Sequence, residues 1–170
     1  MSLLKFKFRF DLPKKNKLLL YDEIHSEILK NIIKKDFNIL EVRKNKKIYF
    51  WIYLKQIIFF DFSFKTYCKN FIKFTNPKVI ICFNDARLNM YELKNTFKKI
   101  NFISIMNGLR FNYWFKKKKK LWPKKLKGDH FFVLNKYYIP KFQNLINSEY
   151  HLSGHFRNNS VKIGNTKFHG

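Results

Sequence analysis

The stretch from Pro77 to Arg110, PKVIICFNDARLNMYELKNTFKKINFISIMNGLR, restricts the architecture more than any other part of the chain. Lys78–Phe83 is a short apolar run with β-branched residues, the pattern of a buried strand. Asn84-Asp85 follows as a helix-capping pair. Ala86, Met90, Leu93, Phe97 and Ile100 then recur at helical spacing. Asn101–Met106 is a second buried strand, closed by Asn107-Gly108. A strand, a helix and a strand in so few residues make a parallel βαβ unit of nearly fixed handedness. In an open parallel sheet, ligands bind beyond the carboxyl ends of the strands. Asn84, Asp85, Arg87, Asn107, Gly108 and Arg110 are therefore expected along one edge.

Four further runs have the same character. Lys17–Tyr21 ends at Asp22-Glu23, and Ile24 to Ile33 follows as a helix with His25-Ser26 near its start. Phe37–Val42 ends at Arg43, and Lys44–Lys47 reads as a polar loop. Ile48–Asn76 reads as two helices broken near Asp61-Phe62-Ser63. Asp129–Leu134 ends at Asn135, and a helix from about Tyr138 to Ile146 carries Pro140 in its first turn. Tyr150–Ser153 is a final short strand before Gly154, His155, Arg157, Asn158 and Asn159. The expected fold is α/β: a doubly wound, mainly parallel, Rossmann-like sheet of about six strands with helices on both faces. The expected organisation is a basic tail or edge strand over 1–16, one domain over 17–159 and a polar tail over 160–170.

Charge has to be weighed against composition. The chain has 170 residues and a formal net charge of +25, which points first to nucleic acid or an anionic membrane. Only five basic residues are Arg (9, 43, 87, 110 and 157); the rest are Lys. Lys, Asn, Ile and Phe abound together, as an A/T-biased genome would produce. The few arginines are thus the informative cations, since the guanidinium fork suits phosphate and carboxylate. The densest charge lies in FNYWFKKKKKLWPKKLK, residues 111–127. This segment reads as a solvated loop or short helix, or as a membrane contact made by Trp114, Phe115, Lys116, Lys118, Lys120 and Trp122. Nucleic acid is the least favoured partner. The aromatic run Tyr49–Phe60 reads as a buried helix or, alternatively, a membrane-facing surface.

Several chemistries lack their motifs. There is no G-x-G-x-x-G, no P-loop and no G-x-S-x-G elbow. Cys68 and Cys82 read as two buried thiols in a reducing compartment. The spacing of His151 and His155 does not favour zinc; neither a metal nor a cofactor is expected. No secretory signal or bilayer-spanning run is apparent, so a cytoplasmic protein, free or peripheral on the inner membrane face, is expected. Arg suits phosphate oxygens and Asn amides suit sugar hydroxyls. His25 reads as a general base or as a surface histidine at a helix start. Asp85 reads as a second candidate base or a plain cap, and Asn107-Gly108 as a ligand loop or a turn.

YDEIHSEIL, NILEVR, PKVIICFND, FISIMNGLR, DHFFVLN and SGHFRNN resemble, in that order, the amino-terminal half of bacterial surface-carbohydrate (O-antigen or lipopolysaccharide) biosynthesis proteins. That family is similar to the GT-B glycosyltransferases and, distantly, to the CDP-glycerol glycerophosphotransferases. ISIMNGLR and GHFRNN carry most of the likeness, being similar to I-S-x-Q-N-G-x-R and G-S-F-x-N-N; Met106 stands in place of Gln and His155 in place of Ser. The resemblance implies a two-domain transferase with its active site between domains. The amino-terminal domain would hold a glycan or lipid-linked acceptor, and a second domain the nucleotide-sugar donor. His25 or Asp85 would deprotonate the acceptor. Asn84, Arg87, Asn107, Gly108, Arg110, Asn135, Gly154, Arg157, Asn158 and Asn159 would line the ligand cleft. It also implies that this chain, ending where the donor domain should begin, is a truncated or split product, inactive alone.

Overall fold

The computed structural model of the chain describes residues 7–154 apart from 34, 44–46, 59, 62 and 123, and only the backbone of 57 and 58. The expected alternation is present. Strand β2 (Leu18–Tyr21) leads through α1 (Ser26–Ile32) to β3 (Asn38–Leu40). Helices α2 (Phe50–Ile58) and α3 (Phe64–Thr75) cross to β5 (Val79–Cys82). Helix α4 (Leu88–Thr96), β6 (Asn101–Ile105), α5 (Asn112–Leu121), β7 (Leu126–Val133), α6 (Ile139–Gln143) and β8 (Ile146–Leu152) follow. These six strands form one sheet in the order β3-β2-β5-β6-β7-β8, and every pairing is parallel.

The order has one reversal. From β2 the chain steps outward to β3, returns across β2 to β5, then adds each strand beside the last. Right-handed crossovers on opposite sides of a reversal place their helices on opposite faces. The packing agrees. Leu29 of α1 packs with Leu20, Ile81, Phe83 and Ile105 on one face. Ile52, Phe71, Met90, Leu93 and Phe142, from α2, α3, α4 and α6, pack with Leu19, Ile80, Phe102 and Phe131 on the other. The alternation of side chains along each strand supplies both faces. Among the described residues, α1 is the one helix on its face.

Local signals explain most boundaries. Ser63 caps α3, its hydroxyl accepting from the Thr66 amide at 3.2 Å. Asn76 closes that helix in the left-handed region with φ 47°, and Pro77 prevents continuation. The βαβ helix is shorter than expected. Arg87, not Asn84 or Asp85, is the residue before α4, and Phe97 ends it. Asn84 instead closes its own turn, its side-chain oxygen accepting from the Ala86 amide at 3.1 Å. Strands β7 and β8 begin earlier than their apolar runs. The Tyr138–Ile146 helix resolves into a short 3-10 turn, Lys136–Tyr138, and α6.

Two parts depart from the expected plan. Lys47 and Ile48 belong to neither a loop nor a helix; β4 (Lys47–Tyr49) pairs in parallel with β1 (Lys7–Arg9), in a separate two-stranded sheet. Within residues 111–127, read as a loop or short helix, the helix is the alternative present, and the departure lies in which side chains face outward. Asn112–Leu121 is a regular helix with an inward stripe: Trp122 is 7% exposed, and Trp114 and Phe115 pack against the main core. Their proposed membrane contact is corrected on this ground. Lys118 lies across the Trp114 and Trp122 rings, 5.6 and 5.4 Å from their centroids. Lys116 and Lys120 do face solvent, and the exposed apolar neighbours are Phe111, Tyr113 and Leu121. Cys68 and Cys82 are both buried and free, as expected. No helix among the described residues is long and apolar enough to cross a membrane.

Candidate functional site

The reversal lies between β2 and β5, where crossovers leave in opposite directions and open a crevice. Three of the five arginines stand at the carboxyl edge of the sheet: Arg43 beyond β3, Arg87 beyond β5 and Arg110 beyond β6. Two carboxylates organise them.

Asp22, the first residue after β2, is 1% exposed. The Arg43 fork donates to both of its oxygens, from Nε at 2.7 Å and Nη2 at 2.9 Å. Arg87 Nε donates to Oδ2 at 3.0 Å, and the Ile24 amide to Oδ1 at 3.2 Å. One carboxylate thus draws two guanidiniums to the reversal, and the Glu23 carboxylate also acts on Arg43. The Arg43 and Arg87 side chains remain about one-third exposed, at 35% and 32%, so their outer edges reach solvent. Asp22 has φ 81° and His25 φ 59°, conformations uncommon for residues other than glycine and concentrated at functional loops.

Burial pushes the Asp22 carboxyl upward, but the Arg43 hydrogen bond, the Ile24 amide and the Arg87 charge outweigh it, and the group ends below its ordinary value. A depressed folded-state pKa contributes stability that is complete above the unfolded value of about 3.9 and is lost as pH falls from there through the folded value. Urea midpoints should therefore drop between pH 5 and pH 3. Asp22→Asn should be less stable at pH 6 and show a shallower acid decline; an unchanged decline would mean that other carboxyls set it.

The second carboxylate is Asp85, with no exposed surface. Arg110 reaches it from Nε at 2.9 Å and Nη2 at 2.5 Å. The same Nη2 donates to Asn107 Oδ1 at 2.6 Å, and Nη1 to the Gly108 and Leu109 carbonyls. The Arg110 amide donates to the Tyr138 hydroxyl at 3.3 Å. Arg110 is thereby tied to the loops after β5 and β6 and to the turn before α6. Burial raises the Asp85 carboxyl, and the Arg110 charge and hydrogen bonds pull it back. The expectation of Asp85 as a candidate base or a plain helix cap is corrected: it is the buried counter-ion that fixes Arg110.

The remaining candidates divide. His25 precedes α1 at the same edge, its ring set edge-on to Phe83 with centroids 5.9 Å apart. Asn84 and Asn107 both commit Oδ1 internally, which leaves their amide N–H groups as donors. Asn135 caps the 3-10 turn, accepting from the Tyr137 amide at 3.0 Å, a local role. Gly108 has no positive φ, so its turn makes no special demand for glycine; Gly154 does, at φ 62°. Arg157, Asn158 and Asn159 lie outside the described residues. The sequence reading placed Asp22 and Arg43 at strand ends without assigning them to a site. Their partnership spans 21 positions and depends on β2 and β3 being neighbours. Its one sequence signal was the scarcity of arginine.

Comparison of the chain with protein families, with curated proteins and with solved structures finds no match.

Proposed function

We propose that this chain is the acceptor-side domain of a glycosyltransferase-like enzyme of surface-polysaccharide assembly, with a phosphorylated glycan or lipid-linked acceptor held at the sheet's carboxyl edge. The observation that carries this reading is the Arg43–Asp22–Arg87 cluster at the strand-order reversal. Two guanidiniums with partly exposed edges suit phosphate oxygens. The donor amides of Asn84 and Asn107 suit the oxygens of the attached sugar. His25, on the same edge, is the candidate base for the acceptor hydroxyl. A second domain would bring the nucleotide-sugar.

A second reading rests on α5. Lys116, Lys117, Lys119 and Lys120 are exposed there with Phe111, Tyr113 and Leu121. Beside them a cavity of about 280 Å³ is lined by Phe115, Lys116, Lys119 and Lys141, among others. This surface suits an anionic membrane or, less well, nucleic acid, with no transferase role.

One titration separates them. The full chain is titrated with a sugar 1-phosphate, with the unphosphorylated sugar and with anionic vesicles. The first reading expects binding of the phosphate ester, weakened about tenfold or more by Arg43→Ala or Arg87→Ala, the loss typical of a charge-assisted hydrogen bond, and unchanged by Lys116→Gln/Lys120→Gln. No binding of the ester, or equal loss in the arginine and lysine variants, overturns it. Vesicle binding lost only in the lysine variant supports the second.

A further inference from the structure

The face of the sheet that carries α1 also carries, at its other end, a small polar cluster. Strands β7 and β8 pair so that His130 lies opposite Glu149 and Phe132 opposite His151. Alternation along each strand puts all four side chains on one face. His130 Nδ1 stands 3.1 Å from His151 Nε2. Glu149 brings Oε2 to 3.4 Å from His130 Nδ1 and Oε1 to 3.6 Å from His151 Nε2. One ligand atom from each residue lies within 4.8 Å of the other two.

We propose that His130, Glu149 and His151 form a binding site for a divalent ion of the zinc class. Nitrogen and oxygen ligands lie about 2.0–2.1 Å from zinc, so a tetrahedral centre holds its ligands about 3.3–3.4 Å apart. The two imidazole nitrogens stand 3.1 Å apart, close to that spacing, and one Glu149 oxygen lies within 4.8 Å of both, so a small rotation of the carboxylate, with no strand moving, completes the triangle. Two imidazoles and a carboxylate favour Zn2+, Co2+ or Ni2+ over Mg2+ and Ca2+, which require oxygen. The rings are also held in place. Phe132 stacks on His151 with centroids 4.9 Å apart and planes 28° apart, which restricts the ring as outer contacts do in metal sites. The His130 and His151 side chains are 36% and 32% exposed, open enough for an ion to enter and for water to complete its coordination. Two ligands come from β8 and one from β7, so the ion would clamp the edge strand to the sheet. The site is remote in sequence from Asp22, Arg43 and Arg87, and it stands or falls independently of the proposed transferase role.

The test is calorimetric titration of the full chain with zinc chloride, followed by cobalt(II) absorption. The expected result is one tightly bound equivalent, a tetrahedral cobalt spectrum and a rise in melting temperature. His130→Gln and His151→Gln should each weaken binding at least tenfold and remove the cobalt spectrum, with unchanged far-ultraviolet circular dichroism. Glu149→Gln should weaken binding by a smaller factor. Zinc affinity weaker than millimolar, or binding that survives His130→Gln and His151→Gln, overturns the proposal.

Discussion

Arg110→Ala is expected to destabilise the protein by about 3–5 kcal/mol, the usual cost of stripping one partner from a buried ion pair. Asp85 is fully buried, and its two oxygens take hydrogen bonds from this single guanidinium. Without it the carboxylate must stay charged in a poor solvent or take up a proton. The second route gives the effect a pH signature. Burial already raises this carboxyl, and the Arg110 charge and hydrogen bonds are the largest of the influences that restrain it, ahead of the backbone amides of Asp85 and Asn107. In the variant its folded-state pKa rises further above the unfolded value of about 3.9. A raised value favours the folded state at low pH and loses that contribution as pH climbs through it. The deficit relative to wild type should be smallest near pH 4 and largest near pH 7. Urea unfolding at both pH values checks this. Asp85→Ala/Arg110→Ala should be more stable than Arg110→Ala, because no charge is then stranded. A single variant within 1 kcal/mol of wild type at pH 7 would show that Asp85 is not the buried counter-ion described above.

Trp122→Ala carries a cost of similar size, about 3–5 kcal/mol for truncating a buried tryptophan. The ring is 7% exposed and meets Tyr91 at 6.2 Å and Trp114 at 6.1 Å between centroids. It joins the end of α5 to α4. Tyr113→Ser and Leu121→Ser, on the outer side of the same helix, should fall within about 0.5 kcal/mol of wild type. The contrast has a functional edge. If α5 meets a membrane, vesicle adsorption should respond to Tyr113, Leu121 and the outer lysines. The Trp122 variant should instead lose stability in solution, with or without lipid. Thermal melts alongside vesicle sedimentation distinguish the two.

The two predictions mark where the sequence was legible. The central strands of the main sheet were readable as apolar runs ended by polar residues, because strands buried on both faces need that composition, whereas the edge strand β8, INSEYHL with alternate residues exposed, was read only from Tyr150 onward. The edge of the sheet was readable too, since parallel strands share one carboxyl side. Partnership was not. Arg43 with Asp22, Arg110 with Asp85 and His130 with His151 are joined across strands, and strand order is set by crossovers that leave no local signature. The two histidines were missed because the sequence directed attention to His151 and His155, four apart, whereas the partner of His151 was on the neighbouring strand. The misreading of Trp114, Phe115 and Trp122 had a different origin. Charge density and Pro123 left a loop and a short helix both open, and the inward face was not identified; Trp114, Phe115, Lys118 and Trp122 follow a helical stripe, and Lys118 belongs to it through its contacts with both tryptophans.

The strand order has a further consequence, for how the sheet is assembled on the ribosome. After β5 joins β2, each later strand docks beside the one made just before it, so a nascent chain can extend its sheet outward without waiting for distant partners. Among the described residues, β8 comes last and has a neighbour on one side only. Its backbone amides should exchange with deuterium sooner than those of β5 and β6, making the carboxyl-terminal rim the place where this molecule first begins to breathe.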